Sequence, residues 1–153
     1  MKHSLKLLTA FGASAVIASI AAAVALAGGK GTGGATVAVA KSPLGRILVD
    51  SKGITLYDFP IDKGTTSVCY SACAALWPPL TTNGKPHAGP GVRASLLGTI
   101  KRRDGKLEVT YAGRPLYYFV TDKKPGQTTG QGINQFGAPW WVLSPAGKEI
   151  HRG

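Results

Sequence analysis

Beyond a glycine-rich stretch that ends near residue 36, apolar residues recur with the two-residue period of half-buried strands, not the 3.6-residue period of helices. Val37 and Val39 alternate with alanines, Ile47-Leu48-Val49 is an unbroken apolar run, and residues 54–59 follow the turn Ser51-Lys52-Gly53. Two short runs about a glycine-bearing turn predict a hairpin. The pattern returns over residues 96–102, 106–111 and 115–120, separated by Asp104-Gly105 and Ala112-Gly113. Asp-Gly between strands is the composition of a type I′ turn, whose central residues need positive φ. A last hairpin is expected from residues 140–143 and 148–150 over Ser144-Pro145-Ala146-Gly147. Only residues 70–76 read as a helix, a turn or two stopped by Trp77-Pro78-Pro79. Residues 81–90 and 123–137 read as loops. The prediction is a mainly β chain with one short helix.

The two sets of strands are copies of one another. Residues 45–63 align without a gap on residues 105–123, with identities at Gly45/Gly105, Val49/Val109, Gly53/Gly113, Leu56/Leu116, Tyr57/Tyr117, Phe59/Phe119, Asp62/Asp122 and Lys63/Lys123. That density at a single offset marks an internal duplication. Residues 37–153 are therefore expected to form a single β domain of two repeats, about 37–96 and 97–153. Each copy carries Leu-Tyr-x-Phe-x-x-Asp, which puts Tyr57 and Phe59 on one strand face and Leu56 and Asp58 on the other. Neither face is cleanly polar, which predicts two small packed antiparallel sheets related by a pseudo-two-fold. Asp62 and Asp122 fall at or past the strand ends. There they are expected to accept hydrogen bonds from backbone amides, a Tyr hydroxyl or a Trp N–H. The competing reading makes them a symmetric acidic pair facing one cleft, able to do general acid/base work.

The amino terminus changes the setting. Residues 1–27 carry Lys2 and Lys6, then an apolar run that ends Ala25-Leu26-Ala27, the small-x-small form of a signal-peptide cleavage site. An uncleaved anchor is the rival, since the run is about long enough to span a bilayer. Cleavage leaves no stable membrane span. Residues 28–36 then read as a flexible Gly-rich linker. Export also makes the cysteines legible: Cys69 and Cys73 are expected to pair as a local staple of one turn. Three intervening residues depart from the two of the usual redox spacing.

The formal charge of +11 becomes +9 once the two leader lysines are removed. For an exported protein this points to anionic envelope polymers or lipid headgroups as partners, and not to nucleic acid. Lys101-Arg102-Arg103 is the one basic cluster, and with Trp141 it forms the candidate binding surface. Trp77 and Trp140 are expected in the core, with Trp141 pointing oppositely. No phosphate loop, nucleophile elbow or zinc-protease motif occurs. The sequence assigns no catalytic residue, no cofactor and no metal; beyond the leader, His87 and His151 are the only histidines.

Tyr57-x-Phe59-x-x-Asp62, Tyr117-x-Phe119-x-x-Asp122, Ser67-x-Cys69-x-x-x-Cys73-Ala74 with Trp77-Pro78-Pro79-Leu80, and Gly137-x-Pro139-Trp140 resemble a bacterial secreted-repeat family. That family is described as predicted lipoproteins with a Tyr-x-(Phe/Trp/Tyr)-x-x-Asp motif. The likeness runs from about residue 37 to 144 and implies an exported envelope or extracellular protein, in a family whose function is not established. Many relatives look like lipoproteins. Here Leu26-Ala27-Gly28 has the lipobox shape, but Gly29 stands where the acylated cysteine would be. The expected location is periplasmic or extracellular without a lipid anchor. The expected role is a non-enzymatic binding or structural module for an anionic or polysaccharide envelope component. The alternative is a redox or hydrolytic protein using Cys69/Cys73 or the Asp62/Asp122 pair.

Overall fold

The computed structural model describes residues 33–153; the leader and most of the linker reading, residues 1–32, lie outside them. Along the described chain run β1 (Thr36–Ser42), β2 (Gly45–Asp50), β3 (Tyr57–Asp58), α1 (Ala72–Leu76), β4 (Thr81–Thr82) and β5 (His87–Ala88). A 3-10 turn (Ala94–Leu96) leads into β6 (Leu97–Lys101), β7 (Leu107–Tyr111), β8 (Arg114–Pro115), β9 (Asn134–Gln135), β10 (Ala138–Pro139) and β11 (Trp141–Val142). The chain is mainly β, with its short helix beside the Cys69–Cys73 disulfide. Two larger sheets form, β2-β1-β5 and β4-β7-β6 with β8 on β7, and the short ladders β9–β10 and β3–β11 supplement them.

Period-two alternation explains where the core sits. Successive side chains in a strand point to opposite faces, and here both faces are buried. Tyr57, Phe59, Tyr117, Phe119, Ile47, Val49 and Val142 enter one cluster with Trp77 and Trp140. Their neighbours Leu56, Leu116, Leu48 and Leu143 enter a second cluster with Val37, Leu80, Val109 and Tyr111. The motif strands are thus a layer between an aromatic core and an aliphatic one. In the aromatic core four rings stack in the order Phe59, Trp140, Trp77, Phe119, with centroids 4.1, 4.1 and 4.2 Å apart. Tyr57 meets Trp77 edge-on at 5.4 Å, and Tyr117 meets Trp140 edge-on at 5.2 Å. The T-shaped contacts are of a kind that aromatic quadrupoles favour. Gln135 holds both indoles, its side-chain oxygen accepting from Trp77 Nε1 and its carbonyl from Trp140 Nε1.

Several local expectations are corrected. The Asp104-Gly105 turn is not type I′: of its residues only Gly105 has positive φ, 83°, and Gly105 N–H donates to the Arg102 carbonyl. Arg102 N–H donates to the Lys106 carbonyl. This is a three-residue loop ending in a left-handed glycine, which keeps Arg102 in the ladder. Two-residue left-handed turns occur instead at Ala112-Gly113 and Phe136-Gly137. Residues 81–90 are not all loop, because β4 pairs with β7 and β5 runs parallel to β1. Those pairings are tertiary, made by strands too short to show periodicity. The third strand of each copy also shrinks, to β3 and β8. Contacts begin before Val37: Ala35 N–H donates to Thr82 Oγ1, and the Ala35 carbonyl accepts from His87 N–H. The carboxy-terminal end of the 28–36 segment is therefore part of the packed domain.

Because Trp140 lies inside the stack and has no exposed surface, Trp140→Ala should cost about 3–5 kcal/mol in chemical denaturation. A loss under about 1 kcal/mol would show that the stack is not a principal source of stability.

Candidate functional site

The two copies of the motif meet backbone to backbone. Tyr57 N–H donates to the Tyr117 carbonyl at 2.8 Å, and Tyr117 N–H returns the bond to Tyr57 at 2.9 Å. Their hydroxyls then cross. Tyr57 donates to Asp122 Oδ2 and Tyr117 donates to Asp62 Oδ2, each at 2.5 Å. Each tyrosine is therefore paired with the aspartate of the other copy. The second carboxylate oxygens accept backbone amides, Val68 N–H on Asp62 and Thr129 N–H on Asp122, and Asp122 also takes the Thr129 hydroxyl. Each aspartate thereby pins the segment that follows it. Both tyrosines are fully buried, and neither of the two grooves described below is lined by motif residues. Burial, followed by the hydrogen bond to Asp122 and that residue's charge, pushes the Tyr57 phenol well above its ordinary value. Burial and the charges of Glu108 and Asp62 do the same to Tyr117. Burial also raises the Asp62 carboxyl.

Arg102 corrects the reading of Lys101-Arg102-Arg103 as one surface cluster. Lys101 and Arg103 are exposed, but Arg102 turns inward and is only 3% exposed. Its guanidinium donates to Glu108 Oε2 at 2.6 Å, to the Cys69 carbonyl at 2.6 Å and to Ser67 Oγ at 2.9 Å. Ser67 Oγ in turn shares a hydrogen bond with the Tyr117 hydroxyl. Period-two alternation at a strand end is the physical reason, since the middle of three basic residues must face the other way. Glu108, which alternation places with Thr110 on the polar face of β7, is fully buried, and Arg102 is the internal cation that satisfies it. Burial pushes its carboxyl up to about 7, against the pull of Arg102. The disulfide loop is thus held by an arginine from the second repeat. Cys69 and Cys73 are both buried, whereas thiol exchange requires access to a sulfur. Outside, the Arg103 guanidinium lies over the Tyr70 ring at 4.0 Å, and the Arg102 guanidinium approaches the same ring at 4.3 Å.

A second ion cluster escaped the sequence reading. Arg114 Nη1 bridges Asp58 Oδ2 and Glu149 Oε1 at 2.5 Å each, and His151 Nε2 lies 2.6 Å from Glu149 Oε2. Asp58 is 1% exposed, and its Oδ1 has no partner among the described residues. Burial, then the Glu149 charge, pushes its carboxyl up to about 7. Trp141, expected to be the exposed indole, is half-buried and covered on one side by the His151 ring at 4.6 Å. No group of three or more His, Cys, Asp or Glu among the described residues could hold a metal ion.

The surface itself carries two adjoining grooves, one of about 420 Å³ and one of about 450 Å³, which meet at Leu107. Lys85 lines the first and Lys106 the second. Among the described residues no helix is long and apolar enough to cross a membrane.

The crossed pairing is tested by double-mutant cycles. Asp62→Asn and Asp122→Asn should each cost about 1–3 kcal/mol. Tyr57→Phe should couple to Asp122→Asn by more than about 0.5 kcal/mol and be additive with Asp62→Asn; coupling to Asp62 would refute the crossed arrangement. The buried acids predict a pH slope as well. Asp58 and Glu108 rise from ordinary values of 3.8 and 4.5 to about 7 on folding. The folded protein therefore holds protons that the unfolded chain has released. Their contribution is complete below the unfolded values and is lost as pH climbs through 7. The melting temperature should be higher at pH 5 than at pH 8, and Glu108→Gln should flatten the slope. A melting temperature that increases from pH 5 to pH 8 would contradict it.

A family model described as a secreted repeat of unknown function matches the chain twice, over residues 38–81 and 98–144. No curated protein and no solved structure matches it. The two matched segments contain the two copies of the motif, and between them they span more than half of the chain. The protein belongs to this family of secreted repeats, and it carries two of the family's units.

Proposed function

We propose that this exported domain is a binding module that attaches to an anionic polymer of the cell envelope through a nearly all-cationic surface. The observation that carries the reading is where the acids go. Of the seven Asp and Glu residues only Asp104 is exposed, whereas 13 of the 15 Lys and Arg residues in 33–153 are exposed. Asp50 receives two backbone amides and the Tyr118 hydroxyl. Asp62 and Asp122 take the crossed tyrosines, Glu108 takes Arg102, and Asp58 and Glu149 share Arg114.

Folding thus removes negative charge from the surface and leaves the positive charge in water. A formal charge counted along the sequence understates the field that an approaching polyanion meets. Such a surface raises the local concentration of anions and their rate of capture. Each Lys or Arg near an anionic layer contributes about 1 kcal/mol, screened by salt. Export supplies the partners: envelope polyphosphates, acidic glycans and the headgroups of anionic lipids.

Retention on teichoic acid, lipopolysaccharide and anionic vesicles should be strong at low salt and should fall steeply as salt is raised. Reversing Lys101, Arg103 and Lys106 together to Glu should weaken it by an order of magnitude or more while leaving the melting temperature nearly unchanged. Failure to bind all three at low salt would refute the proposal.

A further inference from the structure

We infer that the groove between β5 and β6 is a binding site for a single-chain anionic amphiphile, one alkyl chain ending in a phosphate or carboxylate. The inference rests on the cationic-surface reading for its sign and goes beyond it in naming a site and a ligand class. The groove encloses about 420 Å³, inside the range of roughly 300–1,000 Å³ typical of small-ligand sites. Pro86 and Ala88 line it from the β5 side, and Ala94, Leu97 and Leu107 from the β6–β7 side.

It opens where the two larger sheets part at the margin of the aliphatic core. Leu97 packs against that core, and Val109 and Tyr111, on the Leu107 face of β7, belong to it. A chain lying in the groove would therefore extend an apolar contact that the protein has already begun.

Polar groups lie in and beside it. Lys85 lines it, Lys106 lines the adjoining groove, and Lys101 stands opposite Leu107 in the β6–β7 register. No carboxylate lines either groove. Among the described residues β6 pairs only with β7. The inward bonds from Ala112 N–H to the Leu96 carbonyl and from Arg102 N–H to the Lys106 carbonyl fix the alternation of that ladder. Thr99 N–H consequently points away from β7 toward the free edge, beside a Thr99 side chain that lines the groove. Apolar walls with Lys85, a hydroxyl and a free N–H donor match an alkyl chain with an anionic head. A neutral lipid or a bare ion would satisfy only one half of the site.

The test is calorimetric titration of the full domain with dodecyl phosphate below its micelle concentration, against inorganic phosphate and dodecyl maltoside. Saturable one-to-one uptake of dodecyl phosphate is expected, with both controls at least tenfold weaker. Ala88→Trp and Ala94→Trp, each made at an exposed position, should fill the groove and abolish uptake without lowering the melting temperature. Lys85→Glu should weaken uptake about fivefold to tenfold. Absence of saturable uptake, equal uptake of dodecyl maltoside, or uptake unchanged in both Trp variants would overturn the inference. Dodecyl phosphate uptake without salt-sensitive polymer retention would sink the surface reading alone, and the converse would sink the groove alone.

Discussion

The reciprocal pairing of Tyr57 with Tyr117 is the contact on which the rest of the fold depends. It joins the two copies through two backbone hydrogen bonds and fixes the faces of both motif strands at once. Once those tyrosines oppose each other, Phe59 and Phe119 must lie on the same side of the layer and Leu56 and Leu116 on the other. The phenols then reach the aspartate of the opposite copy, and those aspartates gather the segments after them, through Val68 in one case and Thr129 in the other. In neither copy does the motif tyrosine bond the aspartate of its own copy. A motif whose buried polar groups are satisfied only by the other copy needs that neighbour.

The same constraint shapes the surface. A small domain with few acids has used nearly all of them internally: as acceptors for buried tyrosines, as partners of Arg102 and Arg114, and as a turn cap at Asp50. Buried carboxylates need partners, and each one so committed is lost to the exterior. The cationic surface is thus a consequence of how the interior is satisfied. Stability and surface charge are linked through the same residues.

Some of the fold could be read from particular residues. The alternation Leu-Tyr-x-Phe announced a strand with two buried faces, the offset of sixty announced the duplication, and Trp77-Pro78-Pro79 ended the helix at Leu76 as expected. Other features left no periodic trace. β4 and β5 are two residues each, and their partners are remote in sequence. Arg102 looked like one of three surface cations; its inward turn was visible only in retrospect from strand alternation and from Glu108, which falls opposite Ile100 across the hairpin.

The strand period, the duplication, the local disulfide between Cys69 and Cys73 and the excess of basic residues could be read from the residues alone, because each is a matter of residue order or composition and needs no knowledge of how the strands dock. Which tyrosine meets which aspartate, which cation is internal, and the withdrawal of the acids from the surface emerge from the docking of the strands. The tyrosine–aspartate pairs join residues 65 and 55 positions apart, and Arg102 reaches back 33 and 35 positions to Cys69 and Ser67; these contacts are set by how two similar copies dock, and two copies of a motif are equally compatible with pairing inside a copy or across it. The structure places each tyrosine with the other copy's aspartate because the antiparallel Tyr57/Tyr117 pair turns each phenol toward its neighbour's turn.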